Sequence, residues 1–267
     1  MNRNYTTILK GISIIFILWG HVGAKLGVEG IQFIAGIGVT LFLICSGYGI
    51  MYSYMLKGLD NYWIKKLLKV IIPFYIVEIF GLLFIKEFSF NLLIKDLLFI
   101  QAATSYGWYM GYILICYFIF WTIMKIGRNL NISKRIILIL LTFIVWFIVD
   151  SVFLANPAMP FLRARQMLSF PLGILLGYVS FKKQNNFYRS ISKSILIMMM
   201  LGCILVGIVT VLITQFEVIK KLPYIMSNVL ALITCLPLAI GIMLFIILFP
   251  FLFKNIFLNR LGWIGYN

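Results

Sequence analysis

The chain has 267 residues, of which 63% are hydrophobic and only 11% are charged, and its mean hydropathy is +1.07. An average soluble domain is about half apolar and about a quarter charged, and a chain of this length cannot bury such an excess of apolar surface in its own core. Lysine and arginine number 23 against 7 acidic residues, which gives a net charge of +16. The composition excludes a soluble enzyme, a DNA-binding domain and a disulfide-stapled secreted module, and it indicates an integral membrane protein.

Runs of about 18 or more apolar residues predict membrane-spanning helices. The eighth run contains Pro237, which is expected to kink or break its helix. Residues 88–100 are too short and too charged to span, so we expect an interfacial or re-entrant helix there. The sequence thus predicts an all-α, polytopic membrane bundle that forms one domain over residues 1–267. The eight predicted spans are 6–25, 31–55, 66–85, 107–127, 135–154, 164–181, 194–214 and 223–253.

Basic residues are distributed unequally between the two sides of these predicted spans. Sixteen of them fall on the side of the N-terminus and seven on the other side. Because cytoplasmic loops carry an excess of lysine and arginine, the distribution predicts a cytoplasmic N-terminus. The basic clusters are therefore interpreted as topology signals, and no nucleic-acid partner is expected.

The four cysteines all lie inside apolar runs, with no CxxC or CxxH spacing. Such cysteines behave as small core residues. Neither a disulfide nor a metal site is predicted from Cys45, Cys116, Cys203 and Cys235.

The only histidine of the chain, His21, lies in the first predicted span, in the run KGISIIFILWGHVG. Lys10 precedes it by eleven residues, and eleven helical steps return to within about 20° of the same face, roughly 16 Å along the axis. An ionisable group inside a span is a candidate functional residue. The alternative is that Lys10 and His21 extend to opposite membrane interfaces, and the spacing leaves both interpretations open.

A patch of small residues occupies the second predicted span, in GVTLFLICSGYGI. Such patches usually allow two helices to approach closely, so Gly38, Gly47 and Gly49 with Ser46 predict a helix-packing face. The alternative is that Gly47 lets a ligand or a short loop reach the backbone.

The third predicted span opens with KKLLKVIIPFY, which places Lys65, Lys66 and Lys69 within about one turn. Ammonium groups at this spacing suit a polyanionic phosphate ligand, although a positive flank of this kind is common in membrane proteins. Glu78 lies nine residues further along, within an apolar run where an unpaired carboxylate is costly. His21, a lysine or a bound proton would each satisfy it.

Aromatic residues open the fourth predicted span, in TSYGWYMGY. Tyr106, Trp108, Tyr109 and Tyr112 fit an aromatic belt at the membrane interface. They are also suited to stacking on sugar rings.

Together these segments resemble the acyltransferase 3 family, whose members include O-acetyltransferases of bacterial surface polysaccharides. Lys10 and His21 match that family's basic residue, ten residues and histidine, while FLICSGYGI, KKLLKVIIPFY, GWYMGYILICY and FPLGILLGYVSF are similar to four further segments in the family's order. The similarity covers essentially the whole chain. The family more often has arginine where this chain has Lys10, Lys66 and Lys69, and lysine lacks the bidentate fork of arginine.

The resemblance implies transfer of an acyl group, usually acetyl, from cytoplasmic acyl-CoA to a hydroxyl of a surface or lipid-linked carbohydrate in a bacterial cell membrane. Acyl-CoA would be a co-substrate, with no permanently bound cofactor, and membrane lipid would surround the protein. His21 would act as general base or acyl carrier, and Glu78 would orient it or balance nearby cations. The site implied in this way comprises catalytic His21 and Glu78; donor-binding Lys10, Lys65, Lys66 and Lys69; and acceptor- or oxyanion-binding Ser46, Tyr106, Trp108, Tyr109, Arg163 and Arg165.

The final run LNRLGWIGYN resembles the point at which family members continue into two further spans, so we expect the sequence to be truncated there.

The alternative function is a membrane transporter or flippase for a surface-polymer precursor. Carriers commonly have paired intramembrane charges and repeated halves, whereas this sequence has one deeply placed acid and no visible repeat.

Overall fold

The structure, a computed structural model, describes residues 3–28, 31–83, 90–97, 108–152, 166–183, 191–214 and 222–253. Every regular element in these ranges is a helix, as expected for a polytopic membrane bundle. Two short 3₁₀ turns are also present, at Gly127–Asn129 and Pro250–Phe253. The helices are α1 (Arg3–Lys25), α2 (Gln32–Lys57), α3 (Tyr62–Lys66), a π-helical turn (Leu67–Ile71), α4 (Ile72–Leu83), α5 (Phe90–Leu97), α6 (Trp108–Ile126), α7 (Ile132–Val152), α8 (Ser169–Lys182), α9 (Lys193–Ile213) and α10 (Tyr224–Leu248).

The chain divides into two compact units. The major unit comprises Met1–Leu56 and Ile132–Asn267, and the inserted unit comprises Lys57–Asn131. The major unit holds α1, α2 and α7 to α10, and the inserted unit holds the elements from α3 to α6.

Six helices among the described residues are long and apolar enough to cross a membrane, namely α1, α2, α6, α7, α9 and α10. They correspond to six of the eight predicted spans and confirm a multi-pass helical membrane protein. The predicted sixth span is shorter than expected, because α8 begins only at Ser169. Its 14 residues extend about 21 Å at 1.5 Å per residue.

The predicted third span is a composite helix. A π-helical turn separates α3 from α4, and the N–H of Ile72 donates to the carbonyl of Leu67, five residues back. Pro73 explains why the turn widens here. Its ring excludes the carbonyl four residues earlier and it has no N–H to donate. Single π turns of this kind are often found at functional sites.

The expectations for Pro237 and for residues 88–100 have different outcomes. Of the two outcomes expected at Pro237, a kink or a break, the break does not occur, because the α-helix continues through Pro237 and ends at Leu248. The residue before a proline is held out of the α region, and Phe249, before Pro250, has φ −118° and ψ 55°. The short helix expected within 88–100 is confirmed as α5, whose eight residues are too few to span a bilayer.

Helix α2 forms the centre of the major unit. In its most apolar stretch 72% of the residues are buried, against 39% or less in the other five spans. Its side chains pack with those of α1 and α10 in one apolar cluster, to which Leu172 and Leu176 of α8 add. Helices α1 and α2 are antiparallel and very close: a Cβ added to Gly38 would lie 2.6 Å from the Ser13 carbonyl oxygen.

Two of the small residues predicted to pack helices do so, on opposite sides of α2: Gly38 lies against α1 and Gly47 against α8. A Cβ on Gly47 would collide with the carbonyl oxygen of Phe170 in α8, and a Cβ on Gly173 would collide with that of Ile44. Backbone therefore approaches Gly47, as the alternative also required, but it is the backbone of a neighbouring helix. Gly49, by contrast, has nothing within 4 Å of its added Cβ.

The contacts of α7 define two ends of the major unit. At one end, Arg135 donates to the Tyr54 hydroxyl at 2.6 Å, and Ser133 and Tyr178 hydroxyls are 3.3 Å apart. We call this the basic end: α1 and α7 begin there and α2 and α8 end there. Its basic residues are Lys134, Arg135, Lys182 and Lys183. At the opposite end, α7 finishes and α10 begins.

Candidate active site

His21 lies in the last two turns of α1, towards the end of the major unit opposite the basic end. Its side chain is half-buried. The adjacent Gly20 packs directly on α2, because a Cβ there would lie 2.6 Å from the Cβ of Ala35. The backbone that carries the imidazole is therefore held firmly against the most buried helix of the unit.

Lys10 lies on the same helix and is also half-buried. Because α1 is regular over its whole length, the predicted common face of Lys10 and His21 is retained, with about 16 Å between them along the axis. Between them, Ser13 is fully buried and donates to the Leu9 carbonyl at 2.6 Å. This hydroxyl is thus used inside α1.

The three predicted donor-binding lysines of the inserted unit have different surroundings. The Lys66 ammonium lies 4.0 Å from the centre of the Tyr117 ring and 5.6 Å from that of Tyr62. The Lys65 ammonium donates to the Asp60 carbonyl at 2.7 Å. Lys65 and Lys69 are exposed, whereas Lys66 is half-buried. The structure therefore distinguishes Lys66 from its two neighbours.

Contacts among aromatic side chains fix the position of the Tyr62 ring, near which the Lys66 ammonium lies. Tyr62 is buried, donates to the Tyr117 carbonyl at 2.9 Å, and stacks on Phe120 with ring centres 6.2 Å apart. Trp63 meets Trp121 edge-on at 6.0 Å. These contacts join α3 to α6 just before the π-helical turn. They fix the Tyr62 ring, one of the two rings beside the Lys66 ammonium.

The remaining predicted site residues belong to several different helices or lie outside the described residues. Glu78 is buried in α4 of the inserted unit, with 8% of its surface exposed. Ser46 is half-buried in α2 of the major unit. Trp108 and Tyr109 begin α6, with ring centres 6.1 Å apart and planes nearly perpendicular. Tyr106, Arg163 and Arg165 lie outside the described residues.

Three of the four cysteines are buried, as predicted for small core residues. Cys45, Cys116 and Cys235 are buried and Cys203 is half-buried, and all four thiols are free. Within the described ranges, no three His, Cys, Asp or Glu side chains are grouped closely enough to hold a metal ion.

Comparison with known proteins gives one decisive result. A family model described as an acyltransferase domain, that of acyltransferase 3, matches residues 3–267. The chain belongs to the acyltransferase 3 family. This match covers both units of the fold. No curated protein matches the chain. No solved structure matches it either.

As an acyltransferase 3 domain with several membrane spans, the chain is a membrane acyltransferase.

Several buried polar residues of the major unit were not assigned a role from the sequence. At the end of α7, Ser151 accepts a hydrogen bond from the Asn228 amide at 3.0 Å, and both residues and Asp150 are buried. At the start of α8, Gln166 and Ser169 are 1% exposed. For Asp150, Ser151 and Asn228 the available signal was a polar residue inside an apolar run, which is costly unless it has a use.

Proposed function

We propose that this membrane acyltransferase transfers an acyl group, acetyl in the simplest case, from cytoplasmic acyl-CoA to a hydroxyl of a cell-surface or lipid-linked carbohydrate. The observation that carries the proposal is the position of His21. It is the only histidine of an acyltransferase 3 chain, it is half-buried, and its backbone is fixed against α2.

His21 is the general base of the proposed reaction. An alcohol is a weak nucleophile until its proton is removed, and imidazole has a suitable ordinary pKa for that task. As the hydroxyl oxygen bonds to the thioester carbon, the hydroxyl proton passes to an imidazole nitrogen. The carbon–sulfur bond then breaks and the CoA sulfur takes up the proton. The buried thiols of Cys45, Cys116 and Cys235 are poorly placed to serve as alternative nucleophiles, because thiolates form readily only in exposed or electropositive surroundings.

The donor enters from the cytoplasm in this proposal, with the N-terminus of the chain on that side of the cell membrane. Lys10 supports this arrangement, since it lies on the face of α1 that carries His21 and nearer the basic end. Lys66 is the strongest phosphate candidate of the inserted unit because its ammonium is seated on aromatic rings. Lys65 and Lys69 contribute a more solvated positive charge.

The acceptor is assigned to the opposite side of the membrane. Trp108 and Tyr109 begin α6, and sugar rings stack favourably on such aromatic faces. Tyr106, Arg163 and Arg165 have the same assigned role from the sequence. Ser46 on α2 is retained as a candidate oxyanion donor, and Glu78 as an acid that balances positive charge.

The test is an acyl-transfer assay with the full chain reconstituted in lipid vesicles. Radiolabelled acetyl-CoA is the donor and an alkyl glucoside is the probe acceptor, with water as the background acceptor. The proposal predicts release of free CoA and label in the glucoside as an ester sensitive to mild base. If the vesicles neither consume acetyl-CoA nor label a glycoside, but instead accumulate a lipid-linked sugar, the transporter alternative replaces it.

A further inference from the structure

The start of α8 is buried about halfway between the two ends of the major unit. Phe170, the second residue of α8, lies against Gly47. Gly47 is ten residues from the end of α2 and twelve from Ala35, which faces Gly20 beside His21. At 1.5 Å per residue these separations are about 15 and about 18 Å. Any donor that binds at the basic end and extends to His21 must pass this depth.

Two buried polar atoms at this point have no hydrogen-bond partner among the described residues. Within the described part of the chain, neither the Gln166 Oε1 atom nor the Ser169 Oγ atom has a partner, and both residues are 1% exposed. A buried polar group left unsatisfied in this way is destabilising. By contrast, other buried hydroxyls, such as those of Ser13, Thr40 and Thr210, donate to a carbonyl of their own helix.

The first turn of α8 has few N–H groups of its own, because Pro171 has none and residues 166–168 form a turn that leads directly into the helix. The opening N–H groups of any helix have no acceptor within it, and Leu168, at the cap position, contributes no side-chain hydrogen bond. The positive end of the helix dipole also points to this spot. The start of α8 therefore presents the positive end of its dipole and the Ser169 hydroxyl, three residues after Gln166.

We propose that this site binds an amide of the pantetheine arm of acyl-CoA as it extends from the cytoplasm towards His21. An amide matches these two side chains because its carbonyl accepts from the Ser169 hydroxyl while its N–H donates to Gln166 Oε1. A fully deprotonated anion such as sulfate has no hydrogen to give to Oε1. In the apolar interior, an amide without such partners would be costly to place.

This inference rests on the proposed function, because it takes acyl-CoA as the donor. It goes further by assigning Gln166 and Ser169 to the pantetheine arm of the donor, whereas the lysines are assigned to its nucleotide phosphates. Gln166 and Ser169 are positioning residues in this account, since they hold the arm and do not touch the reacting carbonyl.

The test compares two ligands on the purified full chain by isothermal titration: acetyl-CoA, and 3′-phospho-ADP, which is the nucleotide half of CoA without the arm. Gln166→Leu and, as a smaller change, Ser169→Ala are the test variants. Thr210→Val is the matched control, because it also removes a buried hydroxyl, but one already satisfied within α9. Thermal unfolding of each unliganded protein is measured in parallel.

We expect Gln166→Leu to weaken acetyl-CoA binding about tenfold, or about 1.4 kcal/mol, while binding of 3′-phospho-ADP stays within about twofold. The unliganded variant should unfold at an equal or higher temperature, because an unsatisfied group has been removed. Ser169→Ala should give a smaller loss in the same direction, and Thr210→Val should bind both ligands normally.

Three results would overturn the inference. Acetyl-CoA binding unchanged in both test variants would mean that a buried water, or nothing, occupies the site. An equal loss for both ligands would show that the variants disturb the fold or the nucleotide site. A lower unfolding temperature with no ligand discrimination would mark the two residues as structural. If the unchanged protein binds neither ligand, the proposed function itself fails, which is a separate outcome.

Discussion

The ammonium group of Lys66 lies 4.0 Å from the centre of the Tyr117 ring, and Tyr117 is the middle residue of α6. A lysine that the sequence places at the edge of a span thus has its charge opposite the centre of another span. A desolvated cation over an aromatic ring gains up to about 2 kcal/mol.

Replacement of Lys66 should therefore affect the donor more than replacement of its neighbour. We expect Lys66→Met to weaken acetyl-CoA binding about tenfold, equivalent to about 1.4 kcal/mol. Lys65→Met should change it less than about twofold, because an exposed charge is screened by water and salt. Titration of both variants with acetyl-CoA measures the difference, and equal losses would show that only the overall charge matters.

The glycines of α2 offer a matched test of helix packing. Gly47→Ala places a methyl group against the Phe170 carbonyl, so we expect it to lower the free energy of unfolding by about 1–3 kcal/mol through overpacking. Gly49→Ala meets nothing within 4 Å and should be neutral or stabilising by up to about 1 kcal/mol. Thermal unfolding in detergent distinguishes them. Equal unfolding temperatures would contradict the close contact between α2 and α8.

The buried pair Asn228 and Ser151 should show non-additive behaviour. Ser151→Ala removes the acceptor of the Asn228 amide, and hydrogen bonds of this kind within membrane bundles contribute about 0.6–1.7 kcal/mol. Adding Asn228→Leu should recover part of the stability, because replacing both partners with apolar groups leaves nothing unsatisfied. A double-mutant cycle by thermal unfolding measures the coupling, and strictly additive losses would argue against the hydrogen bond.

Tyr62 provides a test of the framework beneath Lys66. Tyr62→Phe keeps the ring that stacks on Phe120 but removes the hydroxyl that donates to the Tyr117 carbonyl. We expect a loss of about 1 kcal/mol in unfolding free energy. Ser53→Ala, which removes an exposed hydroxyl, is the control and should have no measurable effect. A stable Tyr62→Phe protein would mean that stacking alone holds α3 on α6.

Much of the fold was predictable because it follows from solvent. Apolar runs must be helices in lipid, so the ranges of α1, α2, α6, α7 and α9 agree with the predicted spans to within a few residues. The short α8 and the π-helical turn were not predictable from hydropathy. They depend on where backbone meets backbone, as at Gly47 and Phe170, and on how a helix adapts before Pro73.

The candidate site was only partly accessible from the sequence. His21 and Lys10 stand out because ionisable residues are rare in spans. The difference between Lys65 and Lys66 was hidden, since it depends on which side of α3 faces Tyr117. Gln166 and Ser169 were overlooked for a related reason: their interest comes from lacking partners, and a sequence does not show which hydrogen bonds are made.

The most direct test of the central claim measures free CoA released from acetyl-CoA by the purified chain and by its His21→Gln variant. Glutamine keeps the polarity and approximate size of the side chain but cannot take up a proton at neutral pH. We predict that CoA release falls at least about a hundredfold, within the usual contribution of a general base, while titrated acetyl-CoA affinity and unfolding temperature are retained. Equal CoA release by both proteins would contradict the assignment of His21 as the base.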